Sequence, residues 1–409
     1  MPLLRLCALL AITATADAYE PREDEGNIGG PSSVYEDIRA DRQRRIDQLE
    51  SDLERLLRPY TEFKKRIYRD YGISYGLDYS ALVQVADRSP GERIAASGAV
   101  RFFGVWEALN RGETNRGNLV FRVQHRHRLG TDIAPSQLGP EIGYAGLTAT
   151  FFNDAGFLLT SLLWDQVLGE GRFAFQVGVI DATDYVHNYP LVGSLTGFNN
   201  FVFRRPTIPT PAQGVGFGAR FYLLPEIYFN FGFSDSNADA TDPRGTLNRF
   251  FEKHRPFAYA EFGWSKSKQA PFADNAHVVF WYDSPDEFSD AWGFALNWNR
   301  TIDERWIPFV RFGYSDQGAT RWRLSITAGA GYQLEKDGTL MGLGLNWGRP
   351  NSAFFGADLD DQFTAEFFVR TSVTAGLTTT PHIQVLVNPA LNPDEDVLIV
   401  VGLRVRIDF

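Results

Sequence analysis

The chain is 409 residues long with a formal net charge of −10, an acidic balance that argues against a nucleic-acid partner, which would call for a basic stripe. Its 33 Phe, 16 Tyr and 9 Trp stand beside only 2 Met and 38 Gly, a composition suited to a sheet with aromatic rings at two interfaces. The one cysteine, Cys7, falls in the first ten residues, so neither a disulfide nor thiolate chemistry is expected of the chain beyond them.

Met1 to Arg5 is a short positive start, Leu6 to Thr13 is apolar, and Ala16-Asp17-Ala18 offers the small-x-small pattern of a cleavage site, so residues 1–18 read as a signal peptide for export. That apolar run is too short to cross a bilayer as a helix, and no later stretch reaches the roughly eighteen uncharged residues such a helix needs. Residues 19–32, acidic and then Gly-Gly-Pro, read as a linker. A helix is expected over 33–72. Ile46, Leu49, Leu53, Leu56, Tyr60, Phe63 and Ile67 recur at spacings of three and four, the seam of a coiled coil, and Ser32 or Ser33 suits its cap. Pro59 predicts a kink or break. Two roles fit this amphipathic helix: oligomerising or reaching into the periplasm, or lying against the barrel that follows.

From Ile73 the period changes to two. Ile73, Tyr75, Leu77, Tyr79, Ala81, Val83 and Val85 alternate with Ser74, Gly76, Asp78, Ser80 and Gln84, and the last segment repeats the pattern from Val397 to Phe409 with Gly402, Arg404, Arg406 and Asp408 on the second face. Strands with one face in lipid and one in water read this way. Seventeen such segments can be picked out, and a barrel with both ends in the periplasm needs an even number. The segment 142–152 keeps the poorest alternation, and removing it leaves sixteen strands over residues 73–409. The fold class is therefore all-β, a transmembrane antiparallel barrel preceded by a periplasmic amphipathic helix. Gly169-Glu170-Gly171, Leu224-Pro225 and Lys336-Asp337-Gly338 become short periplasmic turns, while 128–156, 183–213 and 235–256 become long external connections.

No nucleophile elbow, zinc-helix motif or phosphate loop is present, so no enzyme, cofactor or metal is expected. His125 and His127 share a strand face, but parity turns it to lipid. Gly214, Gly216 and Gly218 share a face in a strand that no helix follows, which suits close approach of a neighbour better than a nucleotide. Charges facing the lumen are the informative ones, because on the outer face each would cost about 2–4 kcal/mol at mid-bilayer. Parity places Arg101, Glu107, Arg122, Arg311, Arg321, Arg323, Glu366 and Arg370 inward. Such a mixed ring either pairs with itself to stiffen the wall or donates hydrogen bonds to neutral polar solutes. The loop 183–213 carries Tyr185, Tyr189, Phe198, Phe201 and Phe203 with Asn199, Asn200, Arg204 and Arg205, and is too apolar for open water. It is expected to fold into the barrel mouth, either as a packed plug or as a sugar-binding face of rings and amides.

The segment Leu162-Leu163-Trp164-Asp165-Gln166, continuing through Gly178-Val179-Ile180-Asp181 to Phe198-Asn199-Asn200, is similar to the carbohydrate-selective porin family (OprB family) of Gram-negative outer membranes. So are Asn346-Trp347-Gly348-Arg349-Pro350, Glu366-Phe367-Phe368-Val369-Arg370, Thr380-Pro381-His382-Ile383-Gln384, Asn388-Pro389 and Gly402-Leu403-Arg404, in order and approximate spacing. Val369 replaces a Tyr of the family pattern, and residues 86–156 match it poorly. The resemblance implies a sixteen-stranded barrel and passive diffusion of glucose-like sugars, and Asp181 joins the candidate constriction. The partners implied are mono- or oligosaccharides, outer-membrane lipid and the barrel-assembly machinery, with monomer and homo-oligomer both open. Two rivals are an envelope tether whose N-terminal helix is the working part, and a barrel enzyme acting on lipid.

Overall fold

The computed structural model describes residues 28–47, 52–334, 338–374 and 376–409; the expected signal peptide, the linker up to residue 27, and Lys336 and Asp337 of one expected turn lie outside them. Sixteen antiparallel strands close into one barrel, each hydrogen-bonded to its sequence neighbours and the last to the first. They are β1 (Ile73–Ala86), β2 (Ile94–Leu109), β3 (Gly117–Arg128), β4 (Gly156–Leu168), β5 (Phe173–Ile180), β6 (Gly214–Tyr222), β7 (Ile227–Asp235) and β8 (Pro256–Ser265). The second half is β9 (Asn275–Asp283), β10 (Ala291–Asn299), β11 (Trp306–Ser315), β12 (Trp322–Gln333), β13 (Leu340–Pro350), β14 (Gln362–Thr374), β15 (Leu377–Val387) and β16 (Val397–Asp408). Residues 142–152 contribute no strand and belong to the connection from β3 to β4, after the short helix Pro135–Glu141.

Alternation decides which side of the wall each residue takes. In β16, Leu398, Val400, Arg404 and Arg406 are buried, whereas Val397, Ile399, Val401, Leu403 and Ile407 are exposed. The closing register runs from Asp78 opposite Asp408 to Ala86 opposite Val400, and Phe409 N–H donates to Leu77 O at 2.9 Å beyond it. Outward-facing Val100, Phe102, Phe262, Phe280, Leu345 and Phe363 continue one apolar belt far larger than a water-soluble surface carries. Aromatic pairs edge it at both ends: Trp292 with Tyr314 at 5.7 Å, and Trp306 with Tyr332 at 4.6 Å. The connections 129–155, 181–213 and 236–255 gather at one end; Ile73, Asp408 and the tight turns 169–172 and 223–226 gather at the other.

The N-terminal helix is present as α1 (Val34–Asp47) and α2 (Asp52–Tyr71). Its position departs from the expectation of a wholly periplasmic element, because the first part of α1 lies inside the barrel. Ile28, Val34, Tyr35 and Ile38 are buried in one cluster with Phe103, Val105, Val120 and Leu163 of the wall. The seam from Ile46 onward describes the later residues, whereas Val34, Tyr35, Asp37 and Ile38 present apolar and acidic groups that match a wall lined with arginine. Nor does Pro59 break the chain: α2 runs through it from Asp52 to Tyr71, forgoing one backbone donor. Of the expected seam, Phe63 is 42% exposed, while its neighbour Lys64 is buried against Tyr60 and Tyr75 and pairs with Asp41 of α1 at 3.2 Å.

Candidate functional site

The segment 181–213 turns into the barrel instead of standing above it, and the inward charges of the wall explain how. A folded-in loop must find partners for its backbone groups, and the wall supplies them. Glu366 accepts from Asn199 N–H and Asn200 N–H, both at 2.8 Å. Arg404 donates to Ser194 O at 2.7 Å and to Asn199 Oδ1 at 2.9 Å, and Arg370 donates to Thr196 O at 2.9 Å. Arg311 donates to Phe203 O at 2.9 Å and His187 O at 3.0 Å, with its guanidinium 4.3 Å from the Tyr189 ring centre. Asn200 caps the turn 201–203 through Val202 N–H, accepts from Tyr144 Oη and donates to Gln384 at 2.9 Å. Phe198 and Phe203 pack on Phe309, Phe368 and each other, and Gly344 keeps the wall clear: a Cβ there would lie 2.6 Å from the Phe203 ring. Tyr185, Tyr189, Phe198 and Phe203 are thus buried packing, which agrees with the packed-plug alternative for these four, while Phe201 lines an open cavity.

Beside this loop, residues 28–42 cross the interior. Asp37 of α1 accepts from both terminal nitrogens of Arg101 at 2.9 Å and lies 3.6 Å from Arg406 and 3.9 Å from Arg122. Asp78 takes Arg101 Nε at 2.9 Å and Arg406 at 2.9 Å, and Arg122 pairs with Asp184 at 3.0 Å while donating to Ser32 O. Tyr35 donates to Asp165 at 2.6 Å, Gly30 N–H to Asp184 O at 2.6 Å, and Arg220 to Ile28 O at 3.1 Å. The charges of this layer therefore neutralise one another and tie the N-terminal segment to β1, β2, β3 and β16.

Above that layer, at the end with the long loops, a vestibule of about 530 Å³ opens. Arg126, Arg204, Arg205 and Arg321 line it with Asp181, Asp239, Phe151, Phe201 and Phe354. Asp181 accepts from Thr183 N–H at 3.0 Å, Thr183 Oγ1 at 2.6 Å and Gln213 at 2.7 Å. In the folded-in loop, burial draws the Arg204 guanidinium down to about 10 and that of Arg205 to about 9, which leaves both cationic at neutral pH. Hydrogen bonds from the Thr241 hydroxyl and N–H hold Asp239 below the usual carboxylate range. A smaller cavity of about 60 Å³ beneath reaches Asp37, Arg101, Arg122 and Arg406, so the vestibule floor is made by the loop and α1 together.

Two expected lumen charges stand elsewhere. Arg323 is exposed because a register shift between Trp322 and Leu324 takes it out of the alternation that parity assumes. Glu107 lies toward the turn end, six residues and about 20 Å along β2 from Arg101, where it accepts from Tyr68 of α2 at 3.1 Å. His125 and His127 sit on the outer face against Phe157 and Tyr79. Gly214, Gly216 and Gly218 make room for Ala238, Ile180 and Tyr259. Parity alone would have found Arg126, which shares the inward face of β3 with Arg122, and Asp78, Arg404 and Arg406, which stand on the polar faces of β1 and β16; nothing local marks Asp37.

A closed sixteen-stranded barrel with an apolar belt, a charged interior and a long loop folded into its mouth defines a porin-type β-barrel fold. Residues 286–409 match the family model described as carbohydrate-selective porin, OprB family. Among solved structures, Pseudomonas putida OprB at high pH shares the fold with a TM-score of 0.68 at 13% identity, over 86% of this chain and 97% of that one. Its low-pH structure gives 0.50 at 12%, over 86% and 96%. A variant of Rh. blastica porin gives 0.51 at 13%, over 82% of this chain and 100% of that one. Comparison with curated protein sequences returns no match.

Proposed function

We propose that the chain is an outer-membrane porin for passive, substrate-preferring diffusion of carbohydrates, glucose-like sugars among them, with the long-loop end external and the turn end periplasmic. The observation that carries this reading is the inversion of polarity across one closed wall: apolar residues outside, and inside it guanidinium, carboxylate and amide groups around a vestibule. The match of residues 286–409 to the carbohydrate-selective family supports the solute class. A sugar presents an apolar ring face and a girdle of hydroxyls, and Phe151, Phe201 and Phe354 beside Arg126, Arg204 and Asn153 offer contacts for both. Selectivity then follows from the size and hydrogen bonding of the space between the loop 181–213 and the wall, with no covalent step. Export by the signal peptide, assembly by the barrel machinery and contact with outer-membrane lipid accompany this reading.

The N-terminal segment acts in this scheme as an internal plug. Its burial around Asp37 disfavours the tether reading for residues 28–42, which are held in the lumen and unavailable to a periplasmic partner. Liposome swelling with a panel of sugars tests the function: purified protein should admit glucose faster than larger saccharides. Liposomes that stay sealed to every sugar, with folded barrel present, overturn it.

A further inference from the structure

We propose that the vestibule is a binding site for a monosaccharide that carries a carboxylate, a hexuronate in chemical class. The inference rests on the reading of the chain as a sugar porin and narrows it from sugars in general to acidic ones.

Two layers of arginine in the barrel are treated differently. In the layer at α1, Arg101, Arg122 and Arg406 each lie within ion-pair distance of at least two carboxylates. In the vestibule, Arg126, Arg204, Arg205 and Arg321 bond only to neutral acceptors: Gln124 for the first, Val192 O and Thr150 for the second, Val186 O, Thr183 O and Asn188 for the third, Ala145 O for the fourth. Among the described residues none of the four forms an ion pair. Arg126 Nη1, Arg204 Nη2 and Arg205 Nη1 donate to no described protein atom, and all three residues line the cavity.

The carboxylates that share this space do not answer them. Asp181 bonds Thr183 and Gln213 and lies 3.9 Å from Arg122, and Asp239 bonds Thr241; neither comes within ion-pair distance of the four vestibule arginines, so four guanidiniums share the cavity with two carboxylates and positive charge is in excess. Arg126, Arg204 and Arg205 are at most 9% exposed, so each is largely stripped of water with no described carboxylate in ion-pair contact. A bound anion supplies that partner, and a carboxylate matches the planar fork with paired charge-assisted hydrogen bonds. The site also suits the rest of a sugar. Phe151 lies 4.4 Å from the Arg126 guanidinium and Phe354 lies 4.9 Å from that of Arg321, placing ring faces beside the cations. The volume of about 530 Å³ falls within the span of about 300–1,000 Å³ common for small-ligand sites. A neutral sugar uses the rings and donors but leaves the excess charge unanswered.

The test is calorimetric titration of the full-length protein in detergent with glucuronate, glucose and acetate. Glucuronate should bind at least tenfold more tightly than either of the others and weaken as salt is raised, since the recognition is partly ionic. The ratio of glucuronate to glucose affinity should fall about tenfold in Arg126→Gln. It should fall by a smaller factor in Arg321→Gln, whose half-exposed position at the rim separates loss of the site from loss of the fold. A parent ratio near one, acetate bound as tightly as glucuronate, or ratios unchanged in both variants would overturn the proposal. Glucose flux without any preference for glucuronate defeats this inference alone, whereas glucuronate binding with no flux of any sugar defeats the channel reading alone.

Discussion

Replacing Asp37 by Asn tests whether the segment inside the barrel is a removable plug. The amide keeps the shape of the side chain but removes the charge that meets Arg101 at 2.9 Å, Arg406 at 3.6 Å and Arg122 at 3.9 Å. Breaking a buried charge pair costs about 3–5 kcal/mol. Here Arg101 keeps Asp78, and Arg406 keeps Asp78 and Asp408, so the lower end applies, about 3 kcal/mol. At 1.4 kcal/mol per tenfold, the equilibrium between docked and undocked α1 shifts by roughly a hundredfold. A plug released in one molecule per thousand would then be free in roughly one in ten. The barrel itself should survive, because the wall's own pairs, Arg101 with Asp78 and Arg406 with Asp78, remain. Glucose flux into liposomes and protease cleavage within residues 34–42 should rise together. Flux and cleavage within twofold of the parent, at equal barrel yield, would refute the reasoning: α1 would then be a fixed part of the wall.

Glu366→Ala removes the acceptor of two loop N–H groups and leaves them buried, at about 1–3 kcal/mol each; the loop 181–213 should loosen, single-channel conductance should rise, and discrimination between glucose and larger saccharides should fall. Leu345→Arg puts a charge on the outer face, where Leu345 is 56% exposed, and should cost about 2–4 kcal/mol if that face meets mid-bilayer, read as a lower urea midpoint for unfolding from lipid vesicles; no shift would move the belt elsewhere. Deleting Phe409 removes the N–H that bonds Leu77 O at the closing seam and should lower the amount of heat-resistant barrel recovered from membranes.

Much of the architecture was legible because side-chain alternation in a strand is a local property. From Val397 to Phe409 the residues themselves state which face is apolar, and sixteen such statements, with tight turns at one end and long loops at the other, amount to a barrel. The same locality made Arg101, Arg122, Arg311 and Glu366 recognisable as inward, and it misplaced Arg323 where a bulge interrupts the count.

What those charges do was decided only by closure and by what enters the closed space. Asp78 meets Arg101 because β1 and β2 pair in that register, and it meets Arg406 because β16 returns to β1 across the whole length of the chain. Asp37 reaches all three arginines from a helix that precedes the barrel, and Glu366 binds Asn199 and Asn200 from a strand far beyond them. A charge inside a barrel lowers its energy by taking whichever partner lies across a few ångströms of lumen, and sequence spacing carries no record of that distance; the four vestibule arginines stand apart for the same reason, since only the folded chain brings them to one cavity and keeps its two carboxylates beyond ion-pair distance of them.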